Sequence, residues 1–461
     1  MRAASVASTA WAAMASGVWG IELMLNDGGA SARNGAFVTS HGMMSYYSGN
    51  ESGQTPGYLP NEGQLDGYYW WEGGGMFGTL IDYWYYTGDE TYNDNTMQAL
   101  QWQVGEDRNY EPTNASQSLG NDDIAFWAFG ALRAAELAFP DPPKDSPQWI
   151  PLVQTVLLDY IARWDTSSCN GGIHWQVFRL SPGWNYKNAI SNGCMFNMAA
   201  RLGKYTGNQT YIDWANKVWD WSEGVGIIDK QGQVWDGVHT DDNCTTVTLQ
   251  PWTYNFGAYL LGAAAMWNIT GDPDGKWRSR INTLISGSDH LFPNKGPMME
   301  IGCLNTNTCN NDEKSFRAFT LSWMADTAKI APFTEPAITP LLQTTAKGAA
   351  QQCSGGSDGV TCGLNWNVST WDGTTGVGQQ LSAMSAFLTL LAPFKAGPIL
   401  NFKNGGTSVE DPTATGGDGS SDSPLLPLKP ITTADKAGAA IITLLLAGCV
   451  LGGSVWMVWG K

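Results

Sequence analysis

Basic charge is scarce in this chain of 461 residues: Lys and Arg total 25 against 42 Asp and Glu, a formal net charge of −17. Nothing basic is clustered enough to neutralise a run of phosphates, which excludes nucleic acid as a partner. Histidine is rarer still, at four, and no cysteine pair has the two-residue spacing of a zinc site. No resident metal and no cofactor is therefore expected. Charged residues of both signs reach only 15%, against about 25% in an average domain. Their place is taken by 55 Gly, 23 Trp and 16 Tyr. Much of that Trp must be core, because large aromatics carry a big burial payload. The excess, together with abundant amides, suits a protein that handles sugars: amides and carboxylates meet hydroxyls, and flat rings meet C–H faces.

The cysteines and the two ends speak of the export route. Cys303/Cys309 and Cys353/Cys362 are close pairs in Gly- and Asn-rich loops and read as local disulfides of an oxidising compartment. Cys449 lies in a terminal apolar run, so one of the remaining thiols is left over. Cys194, in an apolar helical stretch, is assigned as the free one, with Cys169–Cys244 as the third bridge. Asn50, Asn114, Asn208, Asn243, Asn268 and Asn367 each begin an Asn-x-Ser/Thr triplet. Residues 1–20, with Arg2 before an Ala-rich stretch, read as a signal peptide. Residues 401–436 are rich in Gly, Ser, Thr, Asp and Pro, a composition that buries too little to fold. Residues 437–461 form a greasy tail. With small residues from Gly416 to Ser423 ahead of it, the pattern is that of a glycosylphosphatidylinositol (GPI) attachment signal. A plain single-span anchor is the alternative. The expected location is the outer face of the plasma membrane or the cell wall; nothing in the sequence bears on oligomeric state.

Between 21 and 400 the chain alternates apolar helical stretches with loops of Gly, Asn, Asp and Trp. Apolar positions recur every three or four residues in a series of candidate helices, the first Gly74–Tyr86 and the last Val377–Leu391. The phrases Tyr86-Thr87-Gly88-Asp89 and Tyr205-Thr206-Gly207-Asn208 match, and Ile269-Thr270-Gly271-Asp272 is a looser copy. Each places a glycine after one helix and a polar cap before another, as in the loop of a helical hairpin. Repeated hairpins without a strand series predict an all-α repeat fold, closed or open. Closure into a toroid would gather the Gly/Trp/Asp-rich loops around one cleft.

The most informative stretch is Gly120-Asn121-Asp122-Asp123, just before the apolar run from Ile124 to Glu136. With Asn121 as N-cap, both acids fall in the first turn of a helix, where the dipole and free N–H groups favour negative charge. Two close carboxylates do not ionise together, so one pKa rises while the other stays low. Glycoside hydrolysis uses such a pair: an acid for the leaving oxygen and an anion for the sugar, roughly 5–5.5 Å apart in retaining enzymes. Asp122 is expected ionised and Asp123 protonated. Taken alone, an acid pair at a helix start is more often a surface charge matched to the dipole.

Together with Phe126-Trp127, that phrase and Tyr68-Tyr69-Trp70-Trp71-Glu72 resemble glycoside hydrolase family 76, in its fungal GPI-anchored branch. Cys169-Asn170-Gly171-Gly172 and Asn185-Tyr186-Lys187-Asn188 extend the resemblance, which runs from about residue 35 to the C-terminus. It implies an (α/α)6 barrel and a retaining endo-α-1,6-mannosidase or transglycosidase. The substrate implied is α-1,6-mannan or the mannose core of GPI anchors, with β-glucan as an acceptor, in cell-wall biogenesis. The resemblance places the nucleophile at Asp122 and the acid/base at Asp123. The chain departs from the pattern in having Ile124 where Gln is expected, Gly rather than Ala after Glu72, and an insertion at 61–67. Candidate sugar-binding residues are Trp70, Trp71, Asn121, Trp127, Asn185, Lys187, Asn188, Asp236, Tyr254 and Asn255. Core, turn and cap roles compete for each of them. The opposing reading is a non-catalytic glycan-binding scaffold on the same fold.

Overall fold

The computed structural model describes residues 20–62, 67–113, 119–395 and 401. The expected leader before Gly20, nearly all of the linker, the terminal tail, Asn114 and most of the 61–67 insertion lie outside them. Among the described residues the periodic apolar stretches become twelve α-helices: α1 (Ala30–Met44), α2 (Trp70–Thr87), α3 (Asn93–Trp102), α4 (Asn121–Leu137), α5 (Trp149–Ala162), α6 (Ala189–Thr206), α7 (Gln209–Gly224), α8 (Thr253–Thr270), α9 (Lys276–Gly287), α10 (Phe316–Ile330), α11 (Glu335–Gln352) and α12 (Val377–Thr389). The strands are short. β1 (Tyr186–Asn188), β2 (Gly237–His239) and β3 (Val247–Thr248) form one antiparallel sheet, and β4 (Cys353–Gly355) pairs with β5 (Thr361–Cys362).

The even-numbered helices are buried on nearly every side, small, apolar and paired polar residues alike, and so are enclosed. In α4 only Asp122 and Asp123 escape full burial, and in α12 every residue is buried. These helices pack in sequence, α2 on α4, α4 on α6, and onward to α12, which returns to α2 and closes the ring. The odd-numbered helices carry an apolar stripe. In α7 it runs through Tyr211, Ile212, Ala215, Val218, Trp219, Trp221 and Ser222, at helical spacing. Each packs outside the ring: α1 on α12, α3 on α2, α5 on α4, α7 on α6, α9 on α8, and α11 on α10 and α12. The architecture is an (α/α)6 barrel. The recurrent Thr-Gly phrase does what a hairpin loop requires, since Gly88, Gly207 and Gly271 end α2, α6 and α8 with φ of 76°, 75° and 67°.

Alternation of inner and outer helices gives the inner six one common direction, so their N-termini share one end of the barrel. Toward the other end the interior is held by buried charges. Arg133 on α4 pairs with Asp82 on α2 at 2.5 Å and with Asp326 on α10 at 2.6 Å; Arg201 on α6 pairs with Glu136 at 2.6 Å. Such groups persist only when mutually paired, and here they cross-link four inner helices. Cys169–Cys244, Cys303–Cys309 and Cys353–Cys362 are bridged, and Cys194 is free and buried, as expected from the two close pairs and from the apolar helical setting of Cys194. No helix among the described residues is long and apolar enough to cross a membrane.

Candidate active site

The shared end of the inner helices opens into a cavity of about 490 Å³. Its walls are the starts of α2 (Tyr69, Trp71), α4 (Asp122, Asp123, Phe126) and α8 (Trp252, Tyr254), with Asn188 ahead of α6 and Asn310, Asp312, Glu313 and Phe316 around the start of α10. Trp175, Gln176, Tyr186 and Asp236 complete the rim. Helix starts leave four N–H groups without intrahelical acceptors, and here side chains supply them. Tyr69 N–H donates to Glu72 Oε2 at 2.8 Å, Ser191 N–H to Asn188 Oδ1 at 3.3 Å, and Thr253 N–H to Glu300 Oε1 at 2.9 Å.

On α4 the acceptor is Asp123, which reaches back so that Gly120 N–H donates to its Oδ2 at 2.7 Å. Gly120, not Asn121, is therefore the N-cap. Asn121 turns away from the cleft, toward the end of α5: its Nδ2 donates to His174 O at 2.8 Å and its Oδ1 accepts from Arg163 at 2.9 Å. Asp122 faces the cavity, where Asn188 Nδ2 donates to its Oδ2 at 3.1 Å and Asp123 N–H to its Oδ1 at 3.2 Å.

Burial pushes Asp122 up to about 7, although Asn188, the backbone amides and the Trp175 indole pull the other way. Burial, then the adjacent charge of Asp122, drives Asp123 well above the ordinary carboxylate range. Both acids are thus raised, Asp123 with the charge of Asp122 as an added cause. The level of Asp122 differs from the expected one, because desolvation outweighs the helix terminus that was expected to hold it low.

The candidate sugar-binding residues divide sharply. Trp71, Asn188, Asp236 and Tyr254 line the cavity together with the acid pair. Tyr254 stacks on Phe316 at a ring separation of 3.7 Å, and Trp71 packs on Phe126 at 4.4 Å, making an aromatic wall. Asp236 accepts from Tyr186 Oη at 2.7 Å, and burial raises its pKa despite the Tyr186 and Asn255 side chains. Asn255 is fully buried behind Asp236 and does not line the cavity.

Five others point elsewhere. Adjacent helical residues are about 100° apart, so Trp70 faces away from the cleft, its indole donating to Gln103 Oε1 at 2.8 Å. Trp127 is wholly buried between Trp70 and Tyr110. Lys187 precedes Asn188 on a strand and so lies on the opposite face. Its Nζ is saturated by Asp165 Oδ2, Asp165 O, Ser168 O and Gly171 O at 2.7–3.2 Å. Asn185 Nδ2 donates to Asp241 at 2.5 Å, and Asn121 is used as described.

One departure from the family pattern has a local cause. A Cβ at Gly73 would lie 2.3 Å from Gly57 O, so alanine does not fit there. Ile124 is fully buried and forms no part of the cleft wall. Sequence reasoning missed Trp175, which follows the Gly171-Gly172 turn, and Asp312, which sits in the polar run Asn310–Lys314 and looks like a solvated loop. Asp312 instead accepts from Trp71 Nε1 at 2.7 Å, and burial raises it to about 7.

A helical barrel with paired carboxyls and aromatic walls at one end of its inner helices defines a glycosidase-type enzyme. The Glycosyl hydrolase family 76 model matches residues 31–401, and the chain belongs to that family. It is 43% identical to the mannan endo-1,6-alpha-mannosidase DCW1 of Candida glabrata, over 96% of this chain and 97% of the other. To DFG5 of the same activity from Saccharomyces cerevisiae it is 39% identical, over 91% and 90%. The crystal structure of Dfg5 from Chaetomium thermophilum, a complex with glucosamine, superposes with a TM-score of 0.79 at 39% identity, covering 84% of this chain and 96% of that one. The GH76A α-1,6-mannanase of Salegentibacter shares the fold at a TM-score of 0.62 and 21% identity, over 79% of this chain and 100% of its own.

Proposed function

We propose that the cavity binds α-1,6-linked mannosyl units and cleaves or transfers them by double displacement. The observation that carries this reading is the acid pair itself: adjacent carboxyls lining one cleft, Asp122 held by Asn188 and Asp123 by Gly120 N–H. Asp122 is the nucleophile. Its carboxylate attacks the anomeric carbon as the glycosidic C–O bond breaks, and Asp123 gives its proton to the departing oxygen. In the second half, Asp123 as carboxylate takes a proton from water or a sugar hydroxyl, whose oxygen displaces Asp122 from the sugar. Asn188 and the Trp175 indole steady the Asp122 anion, and Gly120 N–H fixes Asp123. The identity with fungal mannan endo-1,6-alpha-mannosidases over nearly the whole chain supports the choice of sugar and linkage.

The tail composition supports a GPI-anchored enzyme at the cell surface, where the mannose core of other anchors and wall β-glucan are within reach as donor and acceptor. The reading is tested by incubating the protein with α-1,6-mannooligosaccharides, with and without a glucan acceptor, and following the product anomer by NMR. Retention of the α-configuration, with hydrolysis or transfer, is expected. Binding without turnover under all conditions would favour the scaffold reading.

A further inference from the structure

Asp312 has no part in the chemistry above, yet it occupies the same cavity as the acid pair. One of its oxygens is accounted for, since Oδ1 accepts from the Trp71 indole at 2.7 Å. The other, Oδ2, takes no hydrogen bond from any described residue. Asp312 is only partly buried and lines the sugar cleft, so this oxygen is open to a ligand there. Its charge is felt at Asp123, Glu72 and Tyr254, on three different inner helices, so it sits centrally among the inner helix starts. Asp122 in turn raises Asp312 by like charge, after burial.

We infer that Asp312 is a substrate-binding carboxylate whose Oδ2 accepts a ring hydroxyl of the mannosyl unit lying against the acid pair. A bound hydroxyl supplies the donor that the protein withholds. The Trp71 hydrogen bond fixes the carboxyl plane so that Oδ2 is aimed before the sugar arrives, and the same indole borders the sugar. Trp71 and Asp312 thus form one unit, a flat wall with an acceptor at its edge. Asn310 and Glu313 flank it on the same segment. Asp236, held by Tyr186 Oη at 2.7 Å, is a further carboxyl on the cavity wall. Besides the acid pair, the cavity wall therefore carries three carboxyls, Asp236, Asp312 and Glu313. This assignment rests on the mannosyl reading of the cleft and adds which group selects the sugar's hydroxyl pattern.

A cycle of protein and substrate changes tests it. Wild type, Asp312→Asn and Trp71→Phe are assayed with activated α-mannosyl donors lacking the 2-, 3-, 4- or 6-hydroxyl in turn, with binding of α-1,6-mannobiose measured in parallel. Asp312→Asn keeps an oxygen for the Trp71 indole but loses the charge, so kcat/KM should drop about 10- to 100-fold with the full donor, the range for a hydrogen bond to a charged group. One deoxy donor should be poor with wild type and no poorer with Asp312→Asn, because the contact is already gone. Trp71→Phe removes the donor that aims Oδ2, so it should shrink the penalty for that same deoxy donor and leave the penalties for the others unchanged. Equal and additive losses with every deoxy donor would overturn the assignment and leave Asp312 as a prop for Trp71. A wild-type protein that neither binds nor cleaves mannosides would sink the underlying reading, and this one with it; normal wild-type turnover without coupling would sink this one alone.

Discussion

Gly120 N–H donates to Oδ2 of Asp123 at 2.7 Å, three residues along the same chain. By reaching back to the N-cap, Asp123 satisfies a helix-end donor and anchors one of its own oxygens. A Cβ on Gly120 would stand 2.2 Å from Oδ1 of Asp122. The residue before the helix thus controls the position of both acids, one by a bond and one by the absence of a side chain.

Gly120→Ala follows directly. Its backbone, at φ −81° and ψ 153°, accepts alanine without strain, so the fold should survive. The Asp122 carboxyl must move, and a displacement near 1 Å costs about 100-fold in rate. A fall in kcat of that order with little change in Tm is expected; unchanged kcat would show that the pair tolerates displacement.

The acids should differ in what they cost. Asp122→Asn leaves no nucleophile and should abolish turnover with every donor. Asp123→Asn should lose 100- to 10,000-fold on natural mannosides, about the usual yield of general acid catalysis. The loss should be far smaller with donors whose leaving group departs unprotonated. Equal losses on both donor types would remove Asp123 from the acid role.

Glu300 gives a stability prediction. Burial raises it to about 8, against the hydrogen bonds from Thr253, whereas an unfolded Glu titrates near 4.3. The folded state therefore binds the extra proton between those values, and stability falls as pH rises through that window. Glu300→Gln mimics the protonated form. It should be nearly neutral below pH ~4 and flatten the decline by about 1.4 kcal/mol per pH unit inside the window. Thermal unfolding of both proteins from pH 4 to 9 checks it, and parallel curves would contradict it.

Lys187 should behave as a structural residue. Its Nζ binds Asp165 Oδ2 and three carbonyls of the 165–171 turn. Breaking a buried pair costs about 3–5 kcal/mol, so Lys187→Met should unfold at markedly lower denaturant. At a temperature where it stays folded, KM should match wild type. A raised KM at full stability would restore Lys187 to the sugar site.

How much was legible depended on the kind of signal. Helices with long apolar periods were readable, from Trp149–Ala162 to Val377–Thr389, because burial on one or all faces writes itself into spacing. Ala30–Met44 was not. It carries two glycines and little amphipathic pattern, and the structure shows why: a Cβ at Gly35 would meet the Phe387 ring at 2.9 Å. Small residues there serve close packing of α1 on α12, and tertiary contact overrides propensity. Asp122 and Asp123 were legible as a dipeptide, and Asp236 and Tyr254 as polar residues among aromatics. Which member of a neighbouring pair faces the cleft was not. Trp70 and Trp71, or Lys187 and Asn188, are chemically plausible alike, and only helix phase and strand alternation separate them. Asp312 was invisible because its partner, Trp71, is remote in sequence and its own neighbours look like a solvated loop.

The account's central claim is that Asp122 forms a covalent bond to the sugar. An activated 2-fluoro-α-mannosyl donor, which slows release of the sugar, should add one glycosyl unit to the intact protein. Mass analysis of the peptide from the start of α4 should place that unit on Asp122, and Asp122→Asn should remain unlabelled. A label on any other carboxylate, or turnover with inverted configuration and no label, would contradict it.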